Sequence, residues 1–343
     1  MTATRPDAHT AEPAGAPPGA PRTGEPRRGP RYRAQLQQLL AFAGLVAIFA
    51  FFSIASPYFF EWPNIKGILL ASSVVGIMAL GATFVIATGG IDLSVGTGMT
   101  LCAVMTGVFL TNLGLPFAVG ILGGLGTGAL LGLVNGVNVA YLRLPPFIAT
   151  LATMMVAQGL SLIVSGAAPI YFTGVPGFEQ VALGELVPGL PNAVLIFFVA
   201  AVVAGVLLSR TLLGRYALSI GSNEEATAIS GIDVRRWKVM IYTVAGLFTG
   251  LAGIVMASRL NSAQPGLGLG YELEAIAAVV IGGTSLRGGR GTILGTVIGA
   301  LIMATLTNGL RIMSIPQEWQ KVAVGIVIVL AVYADILRRG KDA

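Results

Sequence analysis

Carboxylates are the side chains with the most chemistry to offer in this sequence, and few lie in its apolar stretches: Asp92, Glu272, Glu274 and Asp335. Ionisable groups at membrane depth are costly and often mark a pathway for a solute. Asp92 sits in Gly89-Gly90-Ile91-Asp92-Leu93-Ser94-Val95-Gly96, where Asp92 and Ser94 fit either a transport pathway or a helix start capped by a side-chain oxygen. Glu272 and Glu274 open an apolar run and allow the same two readings, because acidic groups favour a helix N-terminus. Asp335 stands close to Arg338 and Arg339 and reads as an interfacial residue.

Several chemistries are excluded. The sole histidine, His9, lies in a polar leader and the sole cysteine, Cys102, in an apolar run, so no Ser/His/Asp or Cys/His triad and no Cys/His metal site can be assembled. No G-x-x-x-x-G-K-[ST] motif is present, since the Gly340-Lys341 pair is followed by Asp342, and the chain cannot cradle ATP phosphates by a P-loop. These residues argue against an enzyme. Isolated acids without a charge relay also argue against ion coupling, so energy is expected to enter from a partner.

The elements that position these residues follow from composition. Hydrophobic residues make up 55% of 343 positions and charged residues 10%, with mean hydropathy +0.82, against the roughly 25% charge of an ordinary soluble domain. Windows of about 20 apolar residues, enough to cross hydrocarbon, fall near 36–55, 68–88, 95–113, 117–141, 147–165, 193–209, 239–258, 273–283, 292–310 and 319–336. The fold class is therefore an all-α membrane protein of about ten transmembrane helices. The eighth window is short, so this element either begins near Gly270 or is broken or re-entrant, a form that lipid tolerates where protein buries the free backbone groups. Residues 1–34, rich in Pro, Ala, Gly and Arg, read as a disordered tail, and 35–343 as the transmembrane domain.

A net charge of +6 and pI near 9.7 would suggest nucleic acid in a soluble protein. Here the basic residues instead report orientation. With a cytoplasmic N-terminus and ten spans, 17 of the 21 Lys and Arg residues face the cytoplasm, and the exceptions are Lys66, Arg259, Arg311 and Lys321. Both termini are thus expected on the cytoplasmic side of the cell membrane, with the segment from Gly166 to Pro191 outside.

Small residues recur at four-residue spacing: Gly124, Gly128, Gly132 and Gly136 in the fourth window, and Gly291, Gly295 and Gly299 in the ninth. Such faces let helices approach closely, although a hinge or pore lining is the other reading. The pairs Asn135-Gly136 and Asn308-Gly309 that follow hint at two related halves.

The expected cytoplasmic loop 210–238 contains Ser222-Asn223-Glu224-Glu225-Ala226-Thr227-Ala228-Ile229-Ser230-Gly231. Ser222 and Glu225 match a capping box and Gly231 suits a helix stop, so a helix of about two turns is expected. A helix that short is marginal alone in water. Docking into a groove of a partner would stabilise it and provide a mechanical coupling point; an incidental surface turn is the alternative.

Three blocks in order, Gly89 to Gly96, Gly221 to Gly231 and Ser262 to Gly289 (SAQPGLGLGYELEAIAAVVIGGTSLRGG), resemble the ribose-type permeases of ATP-binding-cassette sugar importers. With their spacing they cover nearly all of the chain beyond the tail. The resemblance implies a pore formed with a second permease copy, a homodimer or pseudo-dimer. It implies a cytoplasmic ATPase subunit, carrying ATP and Mg, that grips the loop helix through Ser222, Asn223, Glu224, Glu225, Ala226 and Gly231. It also implies an extracytoplasmic binding protein that delivers a monosaccharide-like solute. The segment from Glu225 to Gly231 is similar to the EAA loop of importer permeases, without the proline that usually ends its longer form.

Overall fold

The computed structural model describes residue 2 and residues 30–340, with side chains from 38 onward except at 334, 335 and 337–340. Most of the expected tail and the side chain of Asp335 therefore lie outside the described residues. The chain runs through α1 (Pro30–Ala55), α2 (Trp62–Ala87), α3 (Val95–Gly107) with a π-helical extension (Val108–Asn112), α4 (Phe117–Ala140) and α5 (Pro146–Ser165). It continues through strand β1 (Ile170–Tyr171), α6 (Gln180–Leu183), α7 (Asn192–Arg210), α8 (Leu212–Ser222), α9 (Glu224–Ile229) and α10 (Val234–Leu260). Strand β2 (Ser262–Ala263), α11 (Tyr271–Ile281), α12 (Ile293–Ile312) and α13 (Gln317–Gly340) complete it.

Eight of the described helices are long and apolar enough to cross a membrane. α11 is not: its 11 residues span about 16 Å, half of a bilayer core. It follows a non-helical stretch, residues 264–270, and begins at Tyr271, so the short eighth window takes the expected form that starts near Gly270. α13 is 24 residues long but is not among these eight.

Two ends of the bundle are defined by contacts between loops. At one, the terminal end, the Gly289 N–H donates to the Ala87 carbonyl at 2.9 Å and Gln38 Nε2 donates to Thr292 Oγ1 at 2.8 Å. At the other, the strand end, β1 pairs antiparallel with β2, and Lys66 Nζ meets Glu185 Oε1 at 2.7 Å. Arg143, Arg210, Arg215, Arg235, Arg236, Lys238, Arg287 and Arg290 all lie in or beside terminal-end connections, whereas Lys66, Arg259, Arg311 and Lys321 lie toward the strand end. The fold thus separates the two groups of bases that the sequence separated.

α2 is the axis of the core: 83% of its best apolar window is buried, against 6% for α1, which rests on the outside against α12. Apolar residues surround α2 on all sides, as expected for a helix enclosed by others. Ile77, Met78, Leu80 and Phe84 are fully buried, and the Phe84 ring stacks on Phe248 of α10 at 6.2 Å.

The glycine ridge of α4 lies along α10. A β-carbon at Gly128 would stand 2.7 Å from the Gly250 nitrogen, one at Gly132 2.9 Å from the Thr243 Cα, and one at Gly136 2.7 Å from the Val239 Cα. Gly246 and Gly250 answer from α10, so the two backbones touch with no side chain between them. The ridge of α12 is shorter than its spacing suggests. Gly295 and Gly299 abut the Gly282 and Ala278 backbone of α11, but Gly291 precedes the helix, and a β-carbon there would make only ordinary contacts at 3.6 Å or more.

The two Asn-Gly pairs differ in what their glycines meet, Val239 of α10 at Gly136 and the Phe52 ring of α1 at Gly309, while Asn135 Oδ1 and Asn308 Oδ1 are both buried without a partner. A closer correspondence appears in the turns at the terminal end. α2 ends with N–H bonds from Gly89 to Ile86 and from Gly90 to Val85, and α11 ends with bonds from Gly283 to Val280 and from Thr284 to Val279. Gly89 and Gly283 take φ of +83° and +92°, the left-handed backbone that glycine adopts without strain. Each turn then sends the chain back through the membrane.

Candidate pathway and coupling surface

Asp92 is held by its own loop. One carboxylate oxygen, Oδ1, accepts from the Ser94 N–H at 2.8 Å and the Ser94 hydroxyl at 2.6 Å, and both residues are buried. Ser94 stands at the N-cap of α3 and no side-chain oxygen caps that helix, so the expected cap by Asp92 does not form; its carboxylate holds Ser94 itself. Asn135 of α4 donates from Nδ2 to Ser94 Oγ at 2.8 Å, while Thr150 of α5 accepts from the Leu93 N–H and donates to the Ile91 carbonyl, both at 3.1 Å. Two oxygens around this knot, Asn135 Oδ1 and the Tyr242 hydroxyl, are buried without a partner. Unpaired buried polar atoms are uncommon and costly, which sets this position apart from ordinary core.

Glu272 joins the same helix start. It is buried, accepts from the Gly270 N–H with both carboxylate oxygens at 3.1 Å, and lies against Gly96, where a β-carbon would strike both Glu272 Oε2 and the Gly268 carbonyl. A carboxylate beside the first turn of α3 complements its unpaired N–H groups. The structure therefore brings Asp92, Ser94 and Glu272 together around one helix N-terminus inside the bundle. Glu274 is not among them. It is half-buried, and Arg311 is the opposite charge that acts on it.

The loop 210–238 folds into more structure than expected. α8 packs Leu213, Ala217 and Ile220 into the core, while α9 stands out from it. The expected capping box does not form, because Ser222 is still the last residue of α8. Asn223 takes the cap: its Oδ1 accepts from the Ala226 N–H at 2.9 Å, and its extended backbone supplies the break between the two helices. Asn serves this position as well as Ser, and proximity to the preceding helix decided between them. Gly231 provides the expected stop at φ +83°. α9 is six residues long, shorter than two turns.

On α9 the single buried side chain is Thr227; Glu225, Ala226 and Ala228 are exposed, and Ile229 is 87% exposed. Lys238 clamps the helix to α10 by donating to both carboxylate oxygens of Glu224 at 2.7 and 2.8 Å. The end of α8 meets two membrane turns through glycine backbones. A β-carbon on Gly288 would lie 2.7 Å from the Gly89 nitrogen and 2.8 Å from the Gly221 Cα, and one on Gly221 would strike the Ala87 carbonyl. The α8–α9 unit is thereby seated on the turn leading into α3 and on the turn leading into α12.

Sequence reasoning did not identify Thr150 or Tyr242 as site residues, since a lone hydroxyl in an apolar run carries no pattern.

The family described as "Branched-chain amino acid transport system / permease component" matches residues 64–332. Among curated proteins, the chain is 46% identical to the ribose import permease of Bacillus subtilis over 88% of its length and 93% of that protein's. It is 37% identical to the D-allose transport system permease of Escherichia coli, over 85% and 89%. It is also 37% identical to the fructose import permease of Rhizobium meliloti, over 85% and 82%. No solved structure matches. The short α11, the knot at the start of α3 and the seated α8–α9 unit all lie within the matched span, and the chain belongs to this family of transport-system permeases.

Proposed function

We propose that this chain is the membrane-spanning permease subunit of an ATP-binding-cassette importer for a monosaccharide. The similarity that carries the reading is that to the ribose import permease, which extends over nearly the whole of both chains; the D-allose and fructose permeases support the sugar class. The terminal end with its bases is read as cytoplasmic. ATP and Mg would belong to a partner ATPase, sugar delivery to an extracytoplasmic binding protein, and the pathway to a pair of permease copies.

In this reading α9 is the docking helix. A helix of six residues has little stability of its own, and its exposed face, with Ile229 at 87% exposure, suits an apolar cleft on the ATPase. Closure of the ATPase would move α9, and the glycine junction at 88–90, 221–222 and 288–289 would pass that displacement to α3 and α12. The permease makes no covalent bond. Asp92, Ser94 and Glu272 are the candidate gating groups, because they fix where α3 begins.

The test is reconstitution with the cognate ATPase and binding protein in sealed vesicles, followed by uptake of D-ribose, D-allose, D-fructose and L-leucine. ATP-dependent uptake of at least one sugar is expected. Leucine uptake without sugar uptake would replace the sugar reading with an amino acid one.

A further inference from the structure

A small cavity that no part of the mechanism above uses lies between α3, α10 and the stretch that leads into α11. Two glycine contacts leave it open between them. α3 touches α10 at Gly253, where a β-carbon would stand 2.5 Å from the Met99 carbonyl and 2.9 Å from the Cys102 Cβ. α3 touches residues 264–270 at Gly268, where a β-carbon would strike the Gly96 carbonyl and the Thr100 hydroxyl. The gap measures about 10 Å³ and is lined by Thr100, Ser262 and Gln264, with Met99, Met256 and Leu267 among its apolar walls. Thr100, Ser262, Met99 and Met256 are buried, while Gln264 and Leu267 are half-buried beside the exposed Gly266, so the cavity is reached past them. Ser262 belongs to β2, which places the cavity at the strand end. Its polar groups are under-used. Gln264 Nε2 donates to Ser262 Oγ at 3.1 Å and Ser262 Oγ to the Leu260 carbonyl at 3.2 Å, but the Thr100 hydroxyl reaches the Gly96 carbonyl only at 3.5 Å. Among the described residues no hydrogen bond ends on Gln264 Oε1. A polar space of this size suits one water or one hydroxyl group, which needs about 10–15 Å³ and two to four polar partners.

We propose that Thr100, Ser262 and Gln264 form a subsite for one hydroxyl group, that of the monosaccharide during transport and that of a water between turnovers, an inference that rests on the importer reading. A hydroxyl both donates and accepts, and the set offers both: Gln264 Oε1 accepts, while the Thr100 hydroxyl and the Gln264 amide donate. No charged side chain lines the cavity, which suits a neutral solute rather than an ion. The Met99 and Met256 side chains give it a conformable wall against the rest of the sugar. Thr100 lies on α3, the helix whose start Asp92, Ser94 and Glu272 hold, so a sugar bonded there touches the helix that the gating groups fix.

The reconstituted complex tests this with Thr100→Val and Gln264→Leu. Each is assayed on whichever of D-ribose, D-allose and D-fructose the wild-type complex carries, and on the singly deoxygenated forms of that sugar that it also carries. The binding protein is the same throughout, so its own preference cancels in the ratio of variant to wild-type uptake. Each variant is expected to lower initial uptake of the parent sugar roughly tenfold, the scale of one lost hydrogen bond with its partner left buried. The deoxygenated form that lacks the bound hydroxyl is expected to be carried equally by variant and wild type, because it never makes the contact. Thr100→Ser, which keeps the hydroxyl, should retain uptake of the parent sugar and guards against a packing defect. Unchanged uptake of the parent sugar in both Thr100→Val and Gln264→Leu overturns the subsite and leaves the cavity to water alone. An equal fall for the parent and every deoxygenated form overturns it too, and makes the residues structural. No uptake of any of the three sugars by the wild-type complex overturns the importer reading itself, and the subsite with it.

Discussion

The α4–α10 seam and the α8–α9 unit are both built on small residues, yet they use them in opposite ways. In the seam, Gly124, Gly128, Gly132 and Gly136 remove side chains so that two long helices meet along their backbones inside lipid, where packing is the main source of helix association. In α9, Ala226 and Ala228 keep the helix slim while its surface stays open, and its shape is held by the Asn223 cap, the Gly231 stop and the Lys238–Glu224 pair. The seam is committed to a partner within the chain. The short helix is left for a partner outside it.

The sharpest way to break that contrast is Gly132→Leu. The side chain would drive into the Tyr242 and Thr243 backbone, and overpacking of this kind costs about 1–3 kcal/mol or more where backbone cannot yield. Folded yield in detergent should fall steeply, and the variant should not assemble with the ATPase at all. Normal yield with normal uptake would show the ridge to be free.

Asn223→Ala tests the other side. Loss of the cap costs about 1 kcal/mol, but on a helix of six residues that is enough to unravel it locally. The permease should insert and dimerise normally while ATPase co-purification drops; Ile229→Asp should do the same by spoiling the apolar contact, with an effect of about 2 kcal/mol or more if it is a hot spot. Retention of the ATPase and of sugar-stimulated hydrolysis in both variants would place energy input elsewhere.

Asp92 lies between these extremes, and its two variants separate structure from transport. Asp92→Ala leaves the buried Ser94 N–H without an acceptor, a loss of about 1–3 kcal/mol in stability. Asp92→Asn keeps an oxygen in the same place, so assembly is expected to hold while uptake declines if the carboxylate charge matters to gating. Equal uptake in Asp92→Asn and wild type would return the residue to a purely structural role.

The smallest effect belongs to the exposed Lys66–Glu185 pair. The Lys66 ammonium first, then the Gly189 N–H, hold the Glu185 carboxyl below the ordinary carboxylate range. A group depressed on folding contributes stability above its unfolded value and loses it as pH falls through the folded one. Protection of the Gly189 amide, which donates to Glu185 Oε2 at 2.7 Å, should therefore persist at neutral pH and disappear only in acid. Amide exchange at several pH values measures this, and constant protection down to strongly acidic pH would deny the pair any part in holding the loop.

The sequence by itself determined what depends on composition and local spacing. Long apolar windows can satisfy their backbone only as helices in lipid, so the eight long apolar helices, the short eighth window and the separation of the described bases were legible. So was the α4 ridge, because four-residue spacing puts its glycines on one face whatever they meet. The Gly231 stop was legible too, since it needs only a local φ. Tertiary structure decided everything that depends on which chain segments meet. It moved the cap from Ser222 to Asn223 because α8 extends to Ser222, and it excluded Gly291 from the α12 ridge because the chain is not yet helical there. It also tied the Asp92 loop to Asn135 and Thr150 and brought Glu272 to Gly96. Those residues are separated by tens to hundreds of positions, and no periodicity within one helix encodes the angle at which another helix crosses it.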